Sequence, residues 1–156
     1  MIEIDIPGRG LVRLSHLVLD YNGTLAVDGA VIDGVAERIG RLSEYVEVHV
    51  VTADTFGKAA AGLAGIDCTV TVLEPGDQTE AKRRYVVDLG AGSVVAMGNG
   101  RNDREMLKVA TLGVVTVLGE GAAVETLVAA DLVCSCILDG LDLLLHPLRL
   151  KASLRA

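Results

Sequence analysis

The sequence predicts a three-layer α/β fold, a doubly wound parallel sheet with helices on both faces. Apolar runs recur at 16–20, 46–51, 68–73, 94–98, 112–117 and 131–134, with helical segments between them. That alternation belongs to a sheet built from strand–helix–strand units. The chain is 51% hydrophobic but holds only three Tyr, one Phe and no Trp. Its core is therefore Val, Leu, Ile and Ala, the composition of strands covered on both faces. At 156 residues, with no internal repeat, low-complexity tract or linker, 1–156 reads as a single domain.

Ahead of the sheet, Ile2 to Ile6 alternate, Pro7-Gly8-Arg9-Gly10 turns, and Leu11 to Leu14 alternate again, which predicts a β-hairpin. Segment 31–43 places apolar residues at 31, 32, 35, 36, 39 and 42 on one helical stripe, with Glu37, Arg38 and Arg41 facing water. Further helices are expected over 55–64, 78–89, 102–110, 121–128 and 137–145, with Gly90 and Gly113 placed to cap helix ends. The Leu-rich stretch Leu141–Leu150 suits core or interface; the balance falls towards contact with another subunit, which leaves room for a homo-oligomer.

A formal charge of −7 argues against nucleic acid and anionic membrane as partners. Met1-Ile2-Glu3-Ile4-Asp5 carries acid where a signal peptide carries base, and no apolar stretch reaches membrane-spanning length, so a soluble cytoplasmic protein is expected. Cys134 and Cys136, two apart in an apolar segment, would share one face of a strand. Together with Cys68 they suit buried thiols in a reducing compartment. No zinc ligand spacing is visible, because His16, His49 and His146 are scattered.

The chemistry lies at the ends of the predicted strands. Leu17-Val18-Leu19 runs into Asp20-Tyr21-Asn22-Gly23-Thr24-Leu25, and Val94-Val95-Ala96-Met97 runs into Gly98-Asn99-Gly100-Arg101-Asn102-Asp103. In a parallel sheet both polar ends fall at the carboxyl edge, where ligands bind. An Asp there serves as nucleophile or as ligand to a hard cation, and Gly23 and Gly100 let backbone amides approach an anion. Strand 46–51 ends in Thr52-Ala53-Asp54, and Asp77-Gln78-Thr79-Glu80-Ala81-Lys82 sets a lysine in the first turns of a helix.

Taken in order, Asp20, Thr52, Lys82 and Gly98–Asp103 resemble the four motifs of the haloacid dehalogenase superfamily of phosphohydrolases and phosphotransferases. The resemblance runs from residue 16 nearly to the end of the chain. Within the superfamily the chain looks most similar to small soluble proteins resembling the phosphorylation domain of P-type ATPases. The resemblance implies that Asp20 attacks a phosphoryl group and becomes an aspartyl phosphate. It implies a Mg²⁺ ion held by Asp20, the backbone carbonyl of Asn22, Asn99 and Asp103. Thr52, Ala53, Lys82 and the amides near Gly23 would hold phosphoryl oxygens, Asp103 would hold a metal-bound water or orient Lys82, and Asn102 would support the loop.

Two positions depart from the superfamily pattern. Hydrolytic members carry Asp two residues after the nucleophile as the general acid and base; here that residue is Asn22, so turnover is expected to be slow. Many relatives carry Asp where this chain has Asn99, which removes a negative charge from the metal site. The intervals from Asp20 to Thr52 and from Thr52 to Lys82 leave no room for a cap domain. An open site suits a phosphorylated small molecule or macromolecule, with the N-terminal hairpin or residues 26–30 as a partial lid. Asn22 and Asn99 also admit an alternative, a non-enzymatic phosphate- or metal-binding regulatory module. A dinucleotide site would need a third glycine that neither loop supplies, and a receiver domain would need the acceptor Asp near mid-chain.

Overall fold

The computed structural model describes residues 1–54 and 57–156. The opening hairpin pairs β1 (Ile2–Ile6) with β2 (Gly10–Leu14), and its alternating pattern buries Ile2, Ile4, Ile6, Val12 and Leu14. Next come β3 (His16–Leu19), then a small antiparallel hairpin of β4 (Ala26–Val27) and β5 (Ala30–Val31), and α1 (Val35–Leu42). The chain continues through β6 (Glu47–Thr52), α2 (Lys58–Gly62), β7 (Thr69–Val72) and α3 (Gln78–Asp88). Its last part holds β8 (Val94–Gly98), a 3₁₀ turn at Arg101–Asp103, α4 (Arg104–Val109), β9 (Leu112–Thr116), α5 (Val124–Ala129), β10 (Leu132–Cys134), α6 (Ile137–Leu145) and α7 (Pro147–Leu154).

Six strands form one sheet in the order β10-β9-β8-β3-β6-β7, and every neighbouring pair is parallel. The direction of winding reverses between β3 and β8, which opens a crevice beyond their carboxyl ends. On one face Leu17, Leu19, Val48 and Val50 pack against Val35, Ile39 and Leu42 of α1, Ile137, Leu141 and Leu144 of α6, and Leu150 of α7. On the other, Val18, Val51, Val94 and Ala96 pack against Val86 of α3 and Met106 and Leu107 of α4. No helix among the described residues is long and apolar enough to cross a membrane.

All six predicted strands of this sheet are present, and the differences elsewhere have physical causes. The helix expected from residue 31 begins at Val35: Val31 belongs to β5, and Gly34, at φ +91°, reverses the chain in a conformation that side chains resist. Ala36 is exposed, and Arg38 does not simply face water, because its guanidinium holds both oxygens of Asp142 at 2.8 and 3.0 Å. Of the helix expected over 55–64, residues 55 and 56 lie outside the described residues. Gly90 does follow α3, but Gly113 is a strand residue of β9 on which a Cβ would lie 2.5 Å from the Leu107 carbonyl oxygen.

Cys136 does not share a strand face with Cys134; it stands at the start of α6. Only Cys134 of the three free cysteines is fully buried. The Leu-rich tail folds as α6 and α7, entered through Pro147 at a helix first turn where proline fits. Its Leu141, Leu144 and Leu150 fill this chain's own core rather than a subunit contact, while Leu148 stays exposed. The opening hairpin is no lid either, since Arg9 bonds Thr111 and Asp131 at the amino ends of β9 and β10.

Glycine positions test this packing in opposite directions. Gly113→Ala is expected to cost about 1–3 kcal/mol by overpacking against α4. Gly40→Ala, exposed within α1 with open space around it, is expected to gain roughly 0.5–1 kcal/mol. Urea unfolding of the two variants beside the parent checks both signs.

Candidate active site

The crevice between β3 and β8 is built around one lysine. Gln78, Lys82 and Val86 recur every fourth residue of α3 and so share its inner face. Val86 anchors that face in the core, and Gln78 accepts a bond from Asn102 Nδ2 at 3.2 Å. Between them Lys82 Nζ, 1% exposed, donates to Asp20 Oδ1 and to Asp103 Oδ1, each at 2.6 Å. Asp77 caps the helix by accepting from the Glu80 amide at 3.1 Å, which fixes where the lysine starts.

Each carboxylate is set by its own strand end. The Asp20 amide donates to Met97 O at 3.0 Å, tying the first residue past β3 to β8. Asp103 Oδ2 accepts from the amides of Asn99 and Gly100 at 3.0 and 2.8 Å, so both its oxygens are engaged. The strand's last residue must be glycine, since a Cβ on Gly98 would lie 2.6 Å from Asp103 Cγ. Burial, reinforced by the Asp103 charge, pushes the Asp20 carboxyl up to about 7 against the pull of Lys82. Burial alone would lower Lys82; the two carboxylates outweigh it and hold the ammonium above its ordinary range.

The remaining predicted residues take distinct places. Thr52 is buried at the end of β6 and its Oγ1 accepts from the Asp54 amide at 3.1 Å, which leaves its hydroxyl proton to donate. Ala53 follows, half-buried. Asn22 is exposed at the mouth. Gly23, at φ +78°, lies so close under Asn99 that a Cβ would approach its Nδ2 to 2.2 Å, and its own amide is committed to Ala26 O at 2.7 Å. Asn99 is held from behind by Nδ2 donating to Gly121 O at 2.9 Å.

Sequence reasoning gave no role to Thr24, although it lies inside the quoted motif. Its hydroxyl is 3.4 Å from Asp20 Oδ2 and 3.3 Å from Asn99 Oδ1, joining the two loops. Thr126, whose hydroxyl donates to Gly100 O at 2.7 Å, had no sequence signal at all. Side-chain oxygens of Asp20 and Asn99 thus converge beside exposed Asn22, an all-oxygen set that suits a hard cation such as Mg²⁺. The Asp20 loop leads into the β4–β5 hairpin, whose Asp28 amide donates to Glu120 Oε1 at 2.9 Å.

No protein-family model matches the chain. It is 47% identical over 62 residues to an uncharacterized protein of Methanocaldococcus jannaschii, covering 40% of this chain and 67% of that one. A second uncharacterized protein of the same organism is 46% identical over 39 residues, or 25% of this chain and 89% of that one. The probable copper-exporting P-type ATPase V of Mycobacterium tuberculosis is 35% identical over 108 residues, 66% of this chain but 14% of the ATPase. Among solved structures, 3-deoxy-D-manno-octulosonate 8-phosphate phosphatase from Moraxella catarrhalis, in complex with magnesium, phosphate and the sugar acid, superposes with a TM-score of 0.70. Its identity is 12%, over 85% of this chain and 86% of that one. A Streptomyces avermitilis protein named as a HAD-family hydrolase gives 0.62 at 19% identity, over 78% and 76%.

Two predictions follow from the charges. Lys82→Met leaves two buried carboxylates facing each other and is expected to cost about 3–5 kcal/mol in urea unfolding at neutral pH. Asp20 holds its proton more tightly folded than unfolded, so its contribution to stability is best near pH 4 and declines as pH rises towards about 7. In EDTA, the melting temperature of Asp20→Asn should therefore gain on that of the parent as pH rises across this window.

Proposed function

The chain belongs to one family with the two M. jannaschii proteins and has the haloacid dehalogenase-like fold; we propose that it is a Mg²⁺-dependent phosphohydrolase or phosphotransferase working through Asp20. The observation that carries this is the buried ammonium of Lys82 held between Asp20 and Asp103 at a carboxyl edge open to solvent. Such a lysine stabilises Asp20 as an anion and offers charge to an incoming phosphate.

In the proposed reaction an Asp20 oxygen attacks phosphorus, and the bond from phosphorus to the leaving oxygen breaks. The leaving oxygen takes its proton from water, because the Asn22 amide has none to give. Water then attacks phosphorus, the bond to Asp20 breaks, and inorganic phosphate leaves while a proton passes to solvent. The Thr52 hydroxyl, the Ala53 amide and Lys82 would hold the phosphoryl oxygens in place. A Mg²⁺ ion bound by Asp20, the Asn22 carbonyl and Asn99 would supply the charge that this site lacks when a phosphate enters. Asp103 would orient Lys82 through Oδ1 and brace the loop amides of Asn99 and Gly100 through Oδ2, or hold a metal-bound water. The substrate class is a phosphorylated molecule, small or macromolecular, that needs no cap to be held.

The test is p-nitrophenol release from para-nitrophenyl phosphate with Mg²⁺, followed from the first seconds. A burst of about one equivalent and then slow turnover is expected, absent in Asp20→Asn. Asn22→Asp should raise the steady rate, towards the 10²–10⁴-fold that general acid–base help is typically worth. Absence of a burst, of turnover and of acid-stable phosphoenzyme in both the parent and Asn22→Asp favours the binding module and overturns the enzyme.

A further inference from the structure

At the opposite end of the sheet, two of the scattered histidines meet. His16 opens β3, Glu47 opens β6 directly beside it in register, and His49 follows two residues on, on the same face as Glu47. His16 Nδ1 lies 3.3 Å from His49 Nε2, and Glu47 Oε2 lies 3.5 and 3.8 Å from these two nitrogens. We propose that His16, Glu47 and His49 form a second metal site, for a zinc-type divalent cation.

Tetrahedral zinc with bonds of about 2.0–2.2 Å keeps its ligand atoms roughly 3.3–3.6 Å apart. Two of the three separations fall there, and the third, 3.8 Å, involves the exposed Glu47 side chain, which is free to close it. The donor set of two imidazoles and a carboxylate selects zinc or a similar first-row ion over Mg²⁺. It leaves a fourth position for water. The shell behind the ligands is also built. His49 Nδ1 faces Tyr85 Oη at 3.0 Å, and Thr71 Oγ1 donates to the same oxygen at 3.4 Å. With Nδ1–H donated to Tyr85, the Nε2 lone pair of His49 points at His16 and Glu47, the orientation that second-shell partners impose on metal-binding histidines. Access is open, because Glu47 is 75% exposed while His49 is 9% exposed. The site is independent of the proposed chemistry at Asp20, four residues and about 13 Å farther along β3.

Zinc retained by the purified protein is measured after dialysis in millimolar Mg²⁺, with Co²⁺ as a spectroscopic probe. One zinc per chain is expected, unchanged in Asp20→Asn, and bound Co²⁺ should show the intense visible bands of a tetrahedral site. His16→Gln/His49→Gln should lose the metal. Glu47→Gln, at an exposed position that does not threaten folding, should weaken it by at least about tenfold. Zinc that is absent from the parent, displaced by Mg²⁺, or bound equally by parent and Glu47→Gln overturns the proposal in favour of a plain imidazole–imidazole hydrogen bond.

Discussion

A single ammonium buried between two carboxylates is the constraint on which the rest of this molecule is arranged. Burial, and after it the charge of Asp103, raises Asp20 to about 7, because with both acids ionised the cluster keeps one net negative charge where water barely reaches. Holding it together takes three separate elements. β3 supplies Asp20, the turn after β8 supplies Asp103, and α3 delivers Lys82 from above. The sheet order brings β3 and β8 side by side at the reversal of winding, so the first and fourth strands of the sheet present their acids together. Gly23 then lets the Asp20 loop close on Asn99, and Gly98 lets Asp103 fold back over its own strand end.

Much of this was legible in the residues. Strand positions could be read because a chain without Trp and with a single Phe must spell its strands as long aliphatic runs. Asp20, Lys82 and Asp103 could be read because strand ends and a helix start dictate where polar side chains emerge. What stayed hidden depends on three-dimensional register. Gly113 looks like a helix stop in sequence, yet its meaning comes from the Leu107 carbonyl pressing on it. Residues 31–34 have the apolar spacing of a helix, but Gly34 breaks the chain there. A separation of 33 in sequence between His16 and His49 conceals a pairing that only the β3–β6 alignment reveals. Thr24 was in plain view within its motif, and only the closeness of Asn99 shows what its hydroxyl joins.

The absence of a cap changes what the loops must do. Among the described residues, the Asp20 loop leads directly into the short β4–β5 hairpin, braced by Asp28 to Glu120 and by the Tyr21 hydroxyl, which donates to Gly29 O at 3.0 Å. In the reaction proposed above, shielding the intermediate from water would fall to the residues of the site itself. Asn22 fits that proposal, because an amide cannot serve as the base that activates a water molecule.

The run of α3 across the sheet has a mechanical side. Lys82 and Tyr85 are about one turn apart on a helix, His16 opens β3 and Asp20 follows its last residue, and Val86 and Val18 belong to the same apolar layer. Helix α3 thus meets the sheet through a polar contact at Lys82, another at Tyr85 and the apolar packing of Val86. Because these side chains share one helix, the register of α3 on the sheet sets all three contacts at once.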